Sequence, residues 1–77
     1  RKGFKTFDLV VLLKGICEDY SKCYQKEYQL NISESSCLLT GDENILKIVF
    51  SNLIDNSFKH NPQQRIEMQV NLQPGEH

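Results

Sequence analysis

Residues 65–72 alternate without a break, Ile66, Met68, Val70 and Leu72 against Glu67, Gln69 and Asn71, and this pattern restricts the fold sharply. Successive side chains of a strand point to opposite faces, so a period of two gathers every apolar residue of the run on one side. The run reads as a half-buried antiparallel strand, with one face on a core and one in water. Its apolar face needs a cover. From residue 9 to about residue 28, Leu9, Leu12, Leu13, Ile16, Cys17, Tyr20 and Tyr24 recur at helical spacing, and Tyr28 extends the same row. That is the stripe of an amphipathic helix, and Asp8 is placed to cap its start.

The remaining stretches fill in the order. Residues 4–8 alternate weakly and suit a short strand. Residues 29–33, with Leu30 and Ile32 facing one way, and residues 37–40 are two brief strands around the turn-like Ser33-Glu34-Ser35-Ser36. After Gly41, Asp42 caps a second helix and Glu43 favours its positive end. Asn61-Pro62 stops that helix at about His60, because the residue before proline resists the helical region. Pro74-Gly75 reads as a hairpin turn after the alternating strand. The predicted order is β-α-β-β-α-β, an α+β two-layer sandwich with two helices on one face of a mixed, mostly antiparallel sheet. A turn that asks for one more strand implies an unpaired edge, so residues 1–77 are read as a single partial domain, prone to self-association through that edge.

Seventy-seven residues allow one domain with a modest core. Nine basic against ten acidic residues leave a net charge of -1, which gives no electrostatic case for nucleic acid. No apolar run approaches the ~20 residues that span a bilayer. Cys17, Cys23 and Cys37 show no paired ligand spacing, so they read as thiols in a reducing compartment, not as a disulfide frame or zinc site.

Chemistry concentrates in the second helix. Asn52 and Asn56 stand four residues apart, so both amides share one face, one turn from each other. Asparagine is a mediocre helix former, because its amide competes for backbone hydrogen bonds. Followed backward, the same line passes through Val49 and Ile45; forward, it closes on Lys59 and His60. An apolar stripe that turns into two neutral oxygen donors and a basic end suits a ligand at the helix's far end. The plainer alternatives are two solvent-facing amides and two basic residues placed favourably at a helix C-terminus. Tyr20, Tyr24 and Tyr28 read as packing, Asp55 as a solvated charge, and Lys22, Lys26 and Glu27 as an exposed face of the first helix.

The string GDENILKIVFSNLIDNSFKHNP, followed by RIEMQVNLQ, resembles the N-box of sensor histidine kinases. Their ATP-binding domain has the Bergerat-type fold shared with gyrase and MutL. The resemblance covers nearly the whole chain and implies the N-terminal part of that domain. By position it implies that Asn56 offers its side-chain oxygen to Mg²⁺, which bridges the phosphates of ATP. Asn52 falls where ATP-hydrolysing relatives of the fold carry a glutamate that activates water. An amide cannot take that proton, so the resemblance implies a catalytic position of the kinase type. Lys59 matches a basic residue near the phosphates, and His60 stands where an aromatic residue usually faces the nucleotide. The implied cofactors are ATP and Mg²⁺. The implied partners are the phosphoacceptor and dimerisation helices of a parent kinase and a downstream response regulator. The implied location is the cytoplasmic part of a protein anchored in a bacterial inner membrane.

The departures also carry information. Gly3, Gly15, Gly41 and Gly75 form no Gly-x-Gly, so the family's glycine-rich adenine and lid boxes are not in this stretch. Neither is the phosphoacceptor histidine followed by an acidic residue. This stretch alone is expected to bind ATP weakly or not at all. The alternative reading is a non-catalytic interaction or dimerisation module of the same fold.

Overall fold

The computed structural model describes residues 4–72. Strand β1 (Phe4–Asp8) runs directly into helix α1 (Leu9–Tyr24); β2 (Glu27–Ile32) and β3 (Leu38–Asp42) follow, then helix α2 (Glu43–His60) and β4 (Arg65–Val70). The α+β class and the β-α-β-β-α-β order are those read from the sequence. Pro74 and Gly75, the expected hairpin turn, lie outside the described residues.

Both helices begin where a carboxylate can satisfy their unpaired N–H groups. Asp8 accepts from Val10 N at 2.9 Å, and Asp42 accepts from Asn44 N at 3.0 Å and Ile45 N at 3.3 Å. Asp8 does more than cap. Its carboxylate also accepts from Cys37 N at 3.0 Å and Ser36 Oγ at 2.8 Å, which ties the start of α1 to the entrance of β3. Those bonds, the Cys37 amide first and the Ser36 hydroxyl second, hold the Asp8 carboxyl below its ordinary pKa.

Helix α1 ends four residues earlier than its tyrosine spacing predicts. Gln25 turns left-handed, with φ 56° and ψ 45°, and both it and Lys26 donate their backbone N–H to the Ser21 carbonyl, the latter at 3.1 Å. The chain then reverses into β2. Tyr28 therefore sits on a strand, yet it still faces the same core, because a change of element altered its route and not its side. Lys26 and Glu27, expected on an exposed helix face, lie beyond the helix altogether.

The strands form two pairs. β1 and β3 are antiparallel, with Thr6 opposite Thr40 and their hydroxyls 2.9 Å apart. β2 and β4 are parallel, with Tyr28 opposite Ile66 and Leu30 opposite Met68. This corrects the antiparallel reading of residues 65–72. Alternation reports one buried and one wet face and carries no information on direction; direction follows from α2 crossing over between the strands. The alternation itself holds: Ile66 is buried and Met68 and Val70 half-buried, while Glu67 and Gln69 are exposed. On the wet face, Arg65 reaches Gln29 Oε1 at 2.7 Å.

The core lies between the two helices and the β2–β4 pair. Leu9, Leu13, Ile16 and Cys17 from α1 meet Ile54 and Phe58 from α2, with Ile66 beneath. Phe58 is the hub. It is fully buried, its ring lies 6.0 Å from Tyr24 at 8° between planes, and the edge of Tyr28 approaches at 6.4 Å.

Candidate functional site

With Ile54 and Phe58 turned into the core, the rotation of α2 is fixed, and the opposite face turns outward. Asn52, Asn56, Lys59 and His60 are all exposed on it. The structure brings the four residues singled out from the sequence onto one side of the last three turns of a single helix. The apolar residues of the same line are outward as well: Ile45 is 59 % exposed, Ile48 63 %, Val49 47 % and Leu53 57 %. The stripe is thus an open surface, and it begins apolar and ends in amides and cations.

The side chains of Asn52, Asn56, Lys59 and His60 have no hydrogen-bond or ion-pair partner among the described residues. Lys22 in the last turn of α1 is as free as these four among the described residues, while some other polar side chains near the helix ends are committed within the chain. Asn61, for example, accepts from Gln63 N at 2.9 Å and so spends its amide on the turn that ends α2. Three of the concavities on the described surface are lined by other residues and by none of these four. One of them, an apolar groove of ≈ 200 Å³ between α2 and the β2–β4 pair, counts Leu53, Met68 and Val70 among its lining residues.

An unpaired amide oxygen is a hard donor of the kind Mg²⁺ accepts, and Mg²⁺ keeps several waters when protein ligands are few. No group of three or more His, Cys, Asp or Glu side chains able to hold a metal exists among the described residues. A cation at Asn56 would therefore be held mostly by water and by the oxygens of an anionic ligand. The residues fit that arrangement: an uncommitted amide oxygen, a second amide one turn back, and Lys59 one turn on. They do not form a self-sufficient metal site.

The end of α2 is also held from behind, in a way the sequence did not reveal. Tyr24 Oη donates to Asp55 Oδ1 at 2.5 Å, so Asp55 is no solvated flank charge. This bond, ahead of desolvation, raises the Tyr24 phenol above its ordinary pKa. Lys26 Nζ donates to the carbonyls of Phe58 at 2.9 Å and Asn61 at 2.5 Å. It thereby satisfies a C-terminal carbonyl that no intrahelical amide reaches. A lysine two residues past Tyr24, inside the expected helix, gave no sign of this, since the contact depends on Gln25 turning the chain back.

Among known proteins, no family profile matches the chain, and no curated protein matches it. Among solved structures, the cytoplasmic segment of histidine kinase QseC matches with a TM-score of 0.75 at 22 % identity. The match covers 91 % of this chain and 49 % of that one, so the chain spans about half the length of its structural neighbour. At that identity the likeness establishes a shared fold. No helix of the described residues is long and apolar enough to cross a membrane.

Proposed function

We propose that this chain is the N-terminal part of the ATP-binding catalytic domain of a two-component sensor histidine kinase. One observation carries the reading: on a fold shared with the cytoplasmic segment of a histidine kinase, Asn52 and Asn56 stand side by side, exposed and uncommitted, with Lys59 and His60 on the next turn. Amides placed so freely do nothing for the helix, which asparagine weakens.

In this reading Mg²⁺ supplies charge neutralisation at the triphosphate when nucleotide is bound. Asn56 contributes one amide oxygen to the cation. Asn52, one turn back, offers a neutral donor and acceptor beside the phosphates and no base for water, so hydrolysis is not promoted and the phosphoryl group is kept for a protein acceptor. Lys59 adds a point charge toward the phosphates, and His60 a flat ring near the nucleotide. The acceptor would be a histidine on the dimerisation helices of the parent kinase, with a response regulator downstream. The parent would be held at a bacterial inner membrane with this part in the cytoplasm.

Calorimetric titration of Mg-ATP into the full-length parent chain, with and without Asn56→Ala, tests the reading. A contact to a charged group of ~3 kcal/mol corresponds to about 100-fold in affinity, and that loss is expected on substitution. Equal affinity of the two proteins, or binding indifferent to Mg²⁺, refutes it.

A further inference from the structure

Residues 24–28 approach the last turns of α2 from three directions. Tyr24 Oη reaches Asp55, Lys26 Nζ reaches the carbonyls of Phe58 and Asn61, and the Tyr24 and Tyr28 rings enclose Phe58 face-on and edge-on. The two kinds of contact do different work. Burial of Phe58 is non-directional and would tolerate some rotation of the helix about its axis. Hydrogen bonds weaken steeply with angle, so they fix orientation. Asp55 directly precedes Asn56, about 100° round the helix. Drawing Asp55 inward therefore fixes Asn56, and Asn52 one turn back, on the outward side.

Lys26 adds an electrostatic effect at the same place. The C-terminal end of a helix carries partial negative charge on its unpaired carbonyls, and an anion approaching Lys59 and His60 would meet it. An ammonium bonded to those carbonyls offsets it. The polar hollow beside this lysine does not offer a competing role. Ser21 Oγ donates to the Lys26 carbonyl, Gln64 Nε2 donates to the Gln25 carbonyl at 3.3 Å, and Arg65 is engaged by Gln29, so among its lining residues Ser21, Gln64 and Arg65 are committed internally and Lys22 remains free among the described residues.

We infer that the segment from Tyr24 to Tyr28 is a clamp that sets the rotation and the terminus of the site helix, with Tyr24 and Lys26 as positioning residues for the Asn52–Asn56 face. The consequence for ligand binding rests on the nucleotide reading above; the mechanical part does not.

The test uses the full-length parent chain and two readouts: hydrogen exchange of the amides of residues 56–61, and affinity for Mg-ATP. Tyr24→Phe keeps the ring on Phe58 and removes only the hydroxyl, and Lys26→Met keeps the stem and removes the charge. Each is expected to speed local exchange by about 10-fold and weaken Mg-ATP binding by about 5-fold. Asp55→Asn, which retains an acceptor oxygen, and Lys26→Arg, which retains the charge, are expected to do much less of both. Unchanged exchange in Tyr24→Phe and Lys26→Met overturns the clamp. Faster exchange with unaltered Mg-ATP affinity overturns the positioning role. Faster exchange in a parent that binds no Mg-ATP removes the nucleotide reading and supports the clamp by itself.

Discussion

Phe58→Ala is the substitution to which this fold is expected to be most sensitive. The side chain is 0 % exposed and receives a face from Tyr24, an edge from Tyr28 and the apolar stripe of α1. Truncating a fully buried phenylalanine costs ~3–5 kcal/mol, as lost transfer energy plus the cavity left behind. A chain of 77 residues has a total stability of roughly 4–12 kcal/mol at ordinary values per residue. Taking ~4 kcal/mol for the truncation, the variant loses between a third and all of its stability. Phe58→Leu separates the ring from the volume. It refills most of the space and forfeits the two aromatic pairs, at ~0.5–1.5 kcal/mol each, for a loss of ~2 kcal/mol. Urea denaturation followed by circular dichroism reads both. If Phe58→Ala cost less than ~1 kcal/mol, or if alanine and leucine cost the same, Phe58 would not be the hub and the assigned rotation of α2 would be wrong.

The other predictions probe different faces. Cys17 is buried and its thiol is pushed up to about 11 by burial, whereas Cys23 is exposed. A thiol reagent at about pH 8 should label Cys23 first and Cys17 only on unfolding, and early labelling of Cys17 contradicts the core. The Tyr28 phenol is pushed up to about 12, by burial first and by its bond to Glu18 at 2.9 Å second. Its folded pKa is raised, so its stabilisation is complete below the ordinary phenol value of about 10 and is lost as pH rises through about 12. Tyr28→Phe should lose less stability across that window than the unaltered chain, measured by urea midpoints; an equal loss refutes the assignment. Ile48→Gln, on the open face of α2, should change stability by no more than ~0.5 kcal/mol, while Ile54→Ala on the inner face costs ~3 kcal/mol. A reversed order in thermal melts would mean that the helix has been turned the wrong way.

Local signals in the sequence were strong wherever one residue's chemistry settled the matter. Asp8 and Asp42 cap helices that begin at the next residue, since a carboxylate before an apolar stripe can satisfy amides that nothing else reaches. Asn61-Pro62 ends α2 at His60. The alternation after Arg65 survives as one core face and one wet face. The four residues chosen for chemistry do share a face, because i, i+4 spacing on a helix permits nothing else.

Local signals ran out where distant segments had to meet. The tyrosine row predicted a helix through Tyr28, but Gln25 adopts a left-handed conformation that no spacing announces, and the reversal it causes carries Lys26 to the end of α2. The Tyr24–Asp55 bond spans the two helices and is invisible in either one alone.

Spacing, caps and breakers are properties of neighbours along the chain, so the sequence by itself determined which segments are helices, which alternate, and which side chains of α2 travel together. Whether that group of side chains points into the core or out to solvent depends on which helix face finds Leu13, Ile16 and Ile66. Whether β4 runs with or against β2 depends on the path of α2 between them. Both are contacts between parts of the chain far apart in sequence, so only the tertiary structure decided them.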